Sequence, residues 1–264
     1  MSILVSFGTK LKKTCLLFSN FALSMILLLD FGNTRVKAAV LEDGTLRQVY
    51  CGPVLIQQLS DAVAGMDIHG GMWCSVHELE WGITEWMTGL GLTPLSYDTS
   101  LPISSSYSTP KSLGMDRMAA AVGAWSMYPG HDLLVIDAGT AITCDFVSRD
   151  GVYRGGNISP GVQLRFSALH EHTGALPLVD RHGDIPLLGY NTETAIRSGV
   201  LNGIRHELIG YIDDLAAVYP SLLVFLTGGD AEYFDIKAKS SIFAVPDLVL
   251  RGLARIVEYN ERGI

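Results

Sequence analysis

From Met25 onward, short apolar runs alternate with stretches in which apolar residues recur three or four positions apart, the signature of an α/β protein. Residues 26–29 read as a buried strand and 36–41 as a second. Asp43-Gly44 is the hairpin turn, and 46–50 a third strand. A helix is then predicted over 54–64, a strand over 72–76, a helix over 78–87 and a strand over 93–97. Residues 98–112, rich in Ser, Thr and Pro, read as a loop. Further on come helices over 162–172 and 194–219, a strand over 222–226 running into Gly228-Gly229, and a last helix over 248–259.

The pattern repeats. Starting from Leu27 the chain reads LLLDFGNTRVKAAVLEDG, and from Leu134, 107 residues later, LVIDAGTAITCDFVSRDG. Asp30 falls on Asp137, Gly32 on Gly139, Asp43 on Asp150 and Gly44 on Gly151 without a gap. Each copy is an apolar strand, an Asp-x-Gly turn, a second strand and an Asp-Gly hairpin, so the repeat predicts two duplicated units facing each other.

The chemistry of the turns points to phosphate. Glycine lets the backbone bend tightly with its N–H groups outward as an anion nest, while neighbouring Asn and Thr side chains add donors. A carboxylate facing the same pocket can hold a hydrated cation against a polyphosphate. Two such hairpins would grip a nucleotide from both sides, with Gly228-Gly229 as a floor for adenine and ribose.

Composition narrows the field. Of the 264 residues, 48% are hydrophobic and 17% charged, with a net charge of -8 and no basic run, so attraction to nucleic acid or to an anionic membrane is not expected. Cys15, Cys51, Cys74 and Cys144 form no C-x-x-C pair and read as free thiols of a reducing cytosol; His170 and His172 have no third ligand nearby in sequence. Residues 1–24 imitate a secretory signal, with Lys10, Lys12 and Lys13 before an apolar stretch and Ala22-Leu23-Ser24 as a cleavage-like site. The run into Asp30, whose chemistry needs cytosolic ATP, favours an N-terminal extension that is poorly structured or miscalled, with Met25 as a natural start. That apolar run, broken by Ser19, Asn20 and Ser24, is too short to span a membrane.

Five short motifs stand in order: DFGNT at Asp30 to Thr34, GMDR at Gly114 to Arg117, DAGTA at Asp137 to Ala141, GGNISPG at Gly155 to Gly161 and TGGD at Thr227 to Asp230. Together they resemble the motif set of type III pantothenate kinases, over nearly everything from Met25 to the C-terminus. That family belongs to the superfamily of acetate and sugar kinases, heat-shock 70 proteins and actin. The resemblance implies two duplicated ribonuclease H-like (actin-like ATPase) domains, over 25–130 and 131–264, with mixed sheets flanked by helices. It implies ATP-dependent phosphorylation of pantothenate in the cytoplasm, the first step of coenzyme A synthesis, with Mg²⁺ and a monovalent cation, K⁺ or NH₄⁺.

Residue by residue, it assigns ATP contacts to Asp30, Phe31, Gly32, Asn33, Thr34, Arg35, Val36, Lys37 and Thr140. It assigns the K⁺ ligand to Asp137, and pantothenate contacts to Tyr107, Gly114, Met115, Asp116, Arg117 and Thr192. Asp116 is implied as the base. A carboxylate within reach of an alcohol can take its proton as the oxygen attacks the γ-phosphorus. The planar fork of Arg117 suits a substrate carboxylate or a phosphate oxygen, although an Asp-Arg pair opening a helix also serves as a cap and surface ion pair. The small residues from Ala119 to Trp125 can pack closely on another helix, within the chain or across the homodimer that the resemblance implies. Three competing readings remain at this stage: another kinase of the superfamily, a nucleotide-binding regulator without catalysis, and a secreted binding protein.

Overall fold

The computed structural model describes residues 25–234 and 241–262; the predicted extension over 1–24 lies outside them. The first unit consists of β1 (Met25–Phe31), β2 (Val36–Glu42), β3 (Thr45–Gly52), α1 (Ile56–Ala62), β4 (Ile68–Ser75), α2 (Trp81–Gly89) and β5 (Leu92–Pro94). A short strand β6 (Ser104–Ser105) and helix α3 (Met115–Met127) lead into β7 (Leu133–Ala138), β8 (Ala141–Ser148), β9 (Val152–Pro160) and α4 (Val162–Glu171). Helix α5 (Thr192–Val218), β10 (Leu223–Thr227), β11 (Ser241–Ala244) and α6 (Leu248–Arg262) complete it.

The repeat is visible in the strand order. One sheet runs β3-β2-β1-β4-β5 and the other β9-β8-β7-β10-β11, extended at the β9 edge by β6. In each, two antiparallel pairings form a meander and two parallel pairings follow. The Asp-Gly turns differ, however. Glu42 pairs with Thr45 across a two-residue turn with both central residues at positive φ, whereas Ser148 pairs with Val152 across a three-residue loop with Gly151 in the left-handed region. Strand β4 also begins before residue 72. Within the added residues, Gly71 crosses so close to β1 that a Cβ there would sit 1.8 Å from the Leu27 carbonyl oxygen.

Strand alternation sends each sheet's two faces to different neighbours. Leu27, Leu29 and Phe31 pack outward with residues of α1 and α2. Leu134, Ile136 and Phe146 pack outward with α4 and α5. Leu28 and Ala39 of one sheet and Leu133, Val135 and Val147 of the other face inward, onto α3 and α6. The molecule is therefore layered as helices, sheet, helix pair, sheet, helices. The small stripe of α3 is used within the chain: a Cβ on Gly252 would lie 1.7 Å from the Ala119 carbonyl oxygen, and one on Gly123 would lie 2.4 Å from that of Leu248. The start of α3 comes close enough to the carboxyl ends of β1 and β7 for the Asp116 charge to act on Asp30 and Asp137.

Candidate active site

The two Asp-x-Gly hairpins meet. The first closes with Gly32 N–H donating to the Arg35 carbonyl at 3.0 Å, and the second, one residue tighter, with Gly139 N–H donating to that of Ala141 at 3.1 Å. At their tips the Thr34 and Thr140 hydroxyls are hydrogen-bonded at 3.2 Å. Two further motifs brace the second hairpin. Gly161 N–H donates to the Thr140 carbonyl at 2.9 Å, and Asp230 N–H to that of Ala138 at 2.8 Å. Gly228 stands at φ +96°, and a side chain there would strike both the Ala138 carbonyl and Asp137 Oδ1. Glycine at this position keeps the space beside Asp137 clear.

Asp30 and Asp137 lie one residue before the ends of β1 and β7, and the Asp30 charge acts on Asp137. Burial pushes Asp30 up to about 6, helped by the Asp116 charge and opposed by Lys37. Burial likewise pushes Asp137 up to about 7, with Asp30 adding repulsion. Cys74, beside Asp30 on β4, points its thiol at Asp30 Oδ1 at 3.7 Å. Lys37, opposite Asp30 on β2, donates to the Pro246 carbonyl at 2.9 Å, tying the first hairpin to the start of α6.

Asp116 sits in the first turn of α3 and folds back over its N-terminus, so that a Cβ on Gly114 would fall 2.5 Å from Asp116 Oδ1. Burial raises its pKa above the usual carboxylate value, against the lowering effect of the Arg117 N–H and charge. Arg117, only 7% exposed, forks around Asp145, which is 1% exposed: Nη2 lies 2.6 Å and Nε 3.0 Å from Oδ1. The guanidinium is thus held by a partner that the sequence reading does not foresee, with its remaining N–H groups left for other acceptors. Tyr107 lies close by, its ring 6.1 Å from that of Tyr153.

Thr192 stands apart. It is exposed in the first turn of α5, behind a cap in which Asn191 Oδ1 accepts from Thr194 N–H at 2.9 Å. Helix α5 covers the outer face of the second sheet and α3 the inner face. Thr192 thus lies on a helix over the opposite face of the second sheet from the helix that carries Asp116.

The donor set suits hard cations held together with phosphate. Among the described residues no group of three or more His, Cys, Asp or Glu side chains is disposed to hold a metal by itself. The half-buried carboxylates of Asp30 and Asp137, with the Asp30 charge repelling Asp137, nevertheless call for positive charge. Mg²⁺ commonly takes one or two carboxylates and fills its shell with waters and substrate phosphate oxygens.

A family model described as type III pantothenate kinase matches residues 26–214. The chain belongs to that family. A type III pantothenate kinase of Phocaeicola vulgatus is 46% identical over 241 residues, covering 90% of this chain and all of its relative. One from Porphyromonas gingivalis is 44% identical over 246 residues, with 90% and 100% covered. Among solved structures, a conserved Baf family protein of Campylobacter jejuni, named as a transcriptional activator, superimposes with a TM-score of 0.59 at 23% identity, covering 90% of this chain and 100% of that one. The ethanolamine utilization protein EutJ of Carboxydothermus hydrogenoformans gives 0.52 at 15% identity, with 89% and 91% covered. Both likenesses concern the fold, the actin-like arrangement of two mixed sheets flanked by helices. Membership in this kinase family brings with it ATP and a divalent metal.

Proposed function

We infer that this protein transfers the γ-phosphoryl group of ATP to pantothenate, giving 4'-phosphopantothenate at the start of coenzyme A synthesis in the cytoplasm. The observation that carries the reading is the meeting of the two hairpins at Thr34 and Thr140, beside Asp116, in a chain of this family. Asp30 to Lys37 and Thr140 receive the ATP phosphates, with Asp30 near Mg²⁺ and Asp137 holding K⁺ or NH₄⁺. The bound cations neutralise phosphate charge during transfer. Asp116 accepts the proton of the substrate hydroxyl, and burial, by raising its pKa, makes it a stronger base than an exposed carboxylate. Tyr107, Gly114, Met115, Arg117 and Thr192 contact pantothenate.

We assign Thr192 to the pantothenate site of a second copy of the chain, so that the active protein is a homodimer. The exposed Leu187, Leu188 and Tyr190 just before it suit a face covered by that copy. No helix among the described residues is long and apolar enough to cross a membrane.

The half-buried carboxylates of Asp30 and Asp137 give a pH-dependent ligand effect. A carboxyl whose pKa is raised in the fold favours the folded state fully below its unfolded value. That contribution is lost as pH rises through about 6 for Asp30 and about 7 for Asp137. Thermal melts should therefore show Mg²⁺ with ATP raising Tm more at about pH 8 than at about pH 5, where the two groups bind protons instead. Equal shifts at both pH values would mean that these carboxylates do not face the cations.

The reaction itself is tested by ADP release from Mg-ATP in potassium and in sodium buffers, with pantothenate set against a panel of sugars and acetate. Turnover that depends on pantothenate and favours potassium is expected. Turnover with a sugar instead would keep the kinase and discard the substrate. ATP binding without turnover on any acceptor would favour the non-catalytic regulator.

A further inference from the structure

We propose that Asp145 is a positioning residue for this reaction: it fixes the orientation of Arg117 toward bound pantothenate through a buried network shared with Tyr153 and Tyr107. The proposal rests on the site being that of a pantothenate kinase, and concerns a residue outside all five motifs. Asp145 lies on β8 with its side chain on the inner face, beside Val147 and facing α3. Its Oδ1 accepts from Arg117 Nη2 at 2.6 Å, from Arg117 Nε at 3.0 Å and from the Tyr153 hydroxyl at 2.5 Å; Oδ2 lies 3.2 Å from the same Nε.

The surroundings are shaped for this contact. Gly156 stands opposite Asp145 in the β8–β9 register, and a Cβ there would lie 2.6 Å from Asp145 Oδ1 and 2.9 Å from its Cα. A Cβ on the preceding Gly155 would touch the Tyr107 ring at 3.7 Å. The first two glycines of GGNISPG thus admit the carboxylate on one side and fit beneath the ring on the other. Tyr107 reaches the network through Tyr153, whose ring it contacts while that residue's hydroxyl is bound to Asp145.

Burying an ion pair adds little net stability, because desolvation of both charges offsets their attraction. What the pair does supply is direction. Arg117 has five N–H donors in a rigid plane, and fixing the Nε–Nη2 edge on Asp145 determines where the rest of the plane points. The residue so fixed adjoins Asp116. A loosened Arg117 would misplace the substrate alcohol relative to its base, and such small displacements are costly in phosphoryl transfer.

The test is a double-variant kinetic cycle on the full chain, with ATP and pantothenate varied separately. Asp145→Asn, which keeps the shape but lowers the strength of the acceptor, should reduce kcat/KM for pantothenate by about 10- to 100-fold, the worth of one charged hydrogen bond. The KM for ATP should stay within about twofold, a split that general loosening of the fold would not give. Combined with Arg117→Gln, it should add almost nothing to the loss caused by Arg117→Gln alone. Tyr153→Phe removes one bond and keeps the packing, so it tests the same idea if Asp145→Asn does not fold, with a smaller loss in the same direction and the same non-additivity. Losses that multiply independently, or equal effects on both substrates, would overturn the proposal. A wild-type enzyme that ignores pantothenate would instead overturn the functional reading, leaving the two failures distinct.

Discussion

Asp116→Asn is expected to lower kcat by about 10²- to 10⁴-fold while leaving the dissociation constant for ATP nearly unchanged. The substitution preserves size and removes the charge and the ability to accept a proton. Asp30, Thr34, Asp137 and Thr140 come from other elements, and the Asp116 charge acts on Asp30 less than burial and Lys37 do. The wild-type rate should also fall as the pH drops through the Asp116 pKa, which burial holds above the usual carboxylate range, and this limb should vanish in the variant. Steady-state kinetics across pH, with calorimetric titration of ATP, measure both. A variant that keeps more than about a tenth of the wild-type kcat would move the base to another residue.

Gly252→Ala should be the most damaging of the small substitutions for stability. Alanine normally improves a helix by up to about 1 kcal/mol over glycine. Here its methyl group would overlap the Ala119 carbonyl oxygen, a backbone atom that cannot rotate aside, so α3 and α6 must separate along the central layer. Overpacking of this kind costs about 3 kcal/mol or more, a fall in Tm of roughly 6–12 °C for a chain of this size. Because α3 carries Asp116 and Arg117, activity should decline with it. Gly199 on α5 provides the contrast: nothing lies within 4 Å of its would-be Cβ, and Gly199→Ala should raise stability slightly. Calorimetric melts of the two variants should move in opposite directions. A neutral Gly252→Ala would show that the helices are less closely packed than the structure has them.

The local grammar of the chain made the hairpins legible. Asp30 and Asp137 end apolar strands, and the matched glycines at one offset were enough to infer two facing turns, which the Thr34–Thr140 contact joins. Asp43-Gly44 marked its turn for a steric reason, because two consecutive positive φ values select such residues. What stayed hidden depends on approach between distant segments. The strand predicted over 72–76 starts at Ile68, because sequence does not show that Gly71 lies against β1. The Ala119–Gly123 stripe was open to either an internal or an external partner until Gly252 of α6 filled it.

Asp145 was overlooked for a related reason, since its partners Arg117 and Tyr153 come from another helix and another strand. One signal was available: a carboxylate inside the apolar strand 141–148, on its inward face, requires a buried counter-charge. The strands Ser104–Ser105 and Ser241–Ala244 are too short to leave a period in the sequence. Thr192 is the opposite case, readable as a motif position but carried by a helix on the other face of the second sheet from the helix of Asp116 and Arg117.

The most direct test follows the phosphoryl group itself. Purified protein is incubated with Mg-ATP labelled at the γ-phosphate, pantothenate and potassium, and the label is traced in the products, with Asp116→Asn in parallel. The account predicts label in 4'-phosphopantothenate with the wild-type protein and almost none with the variant. Label found only in ATP and inorganic phosphate, with pantothenate recovered unchanged, would contradict it.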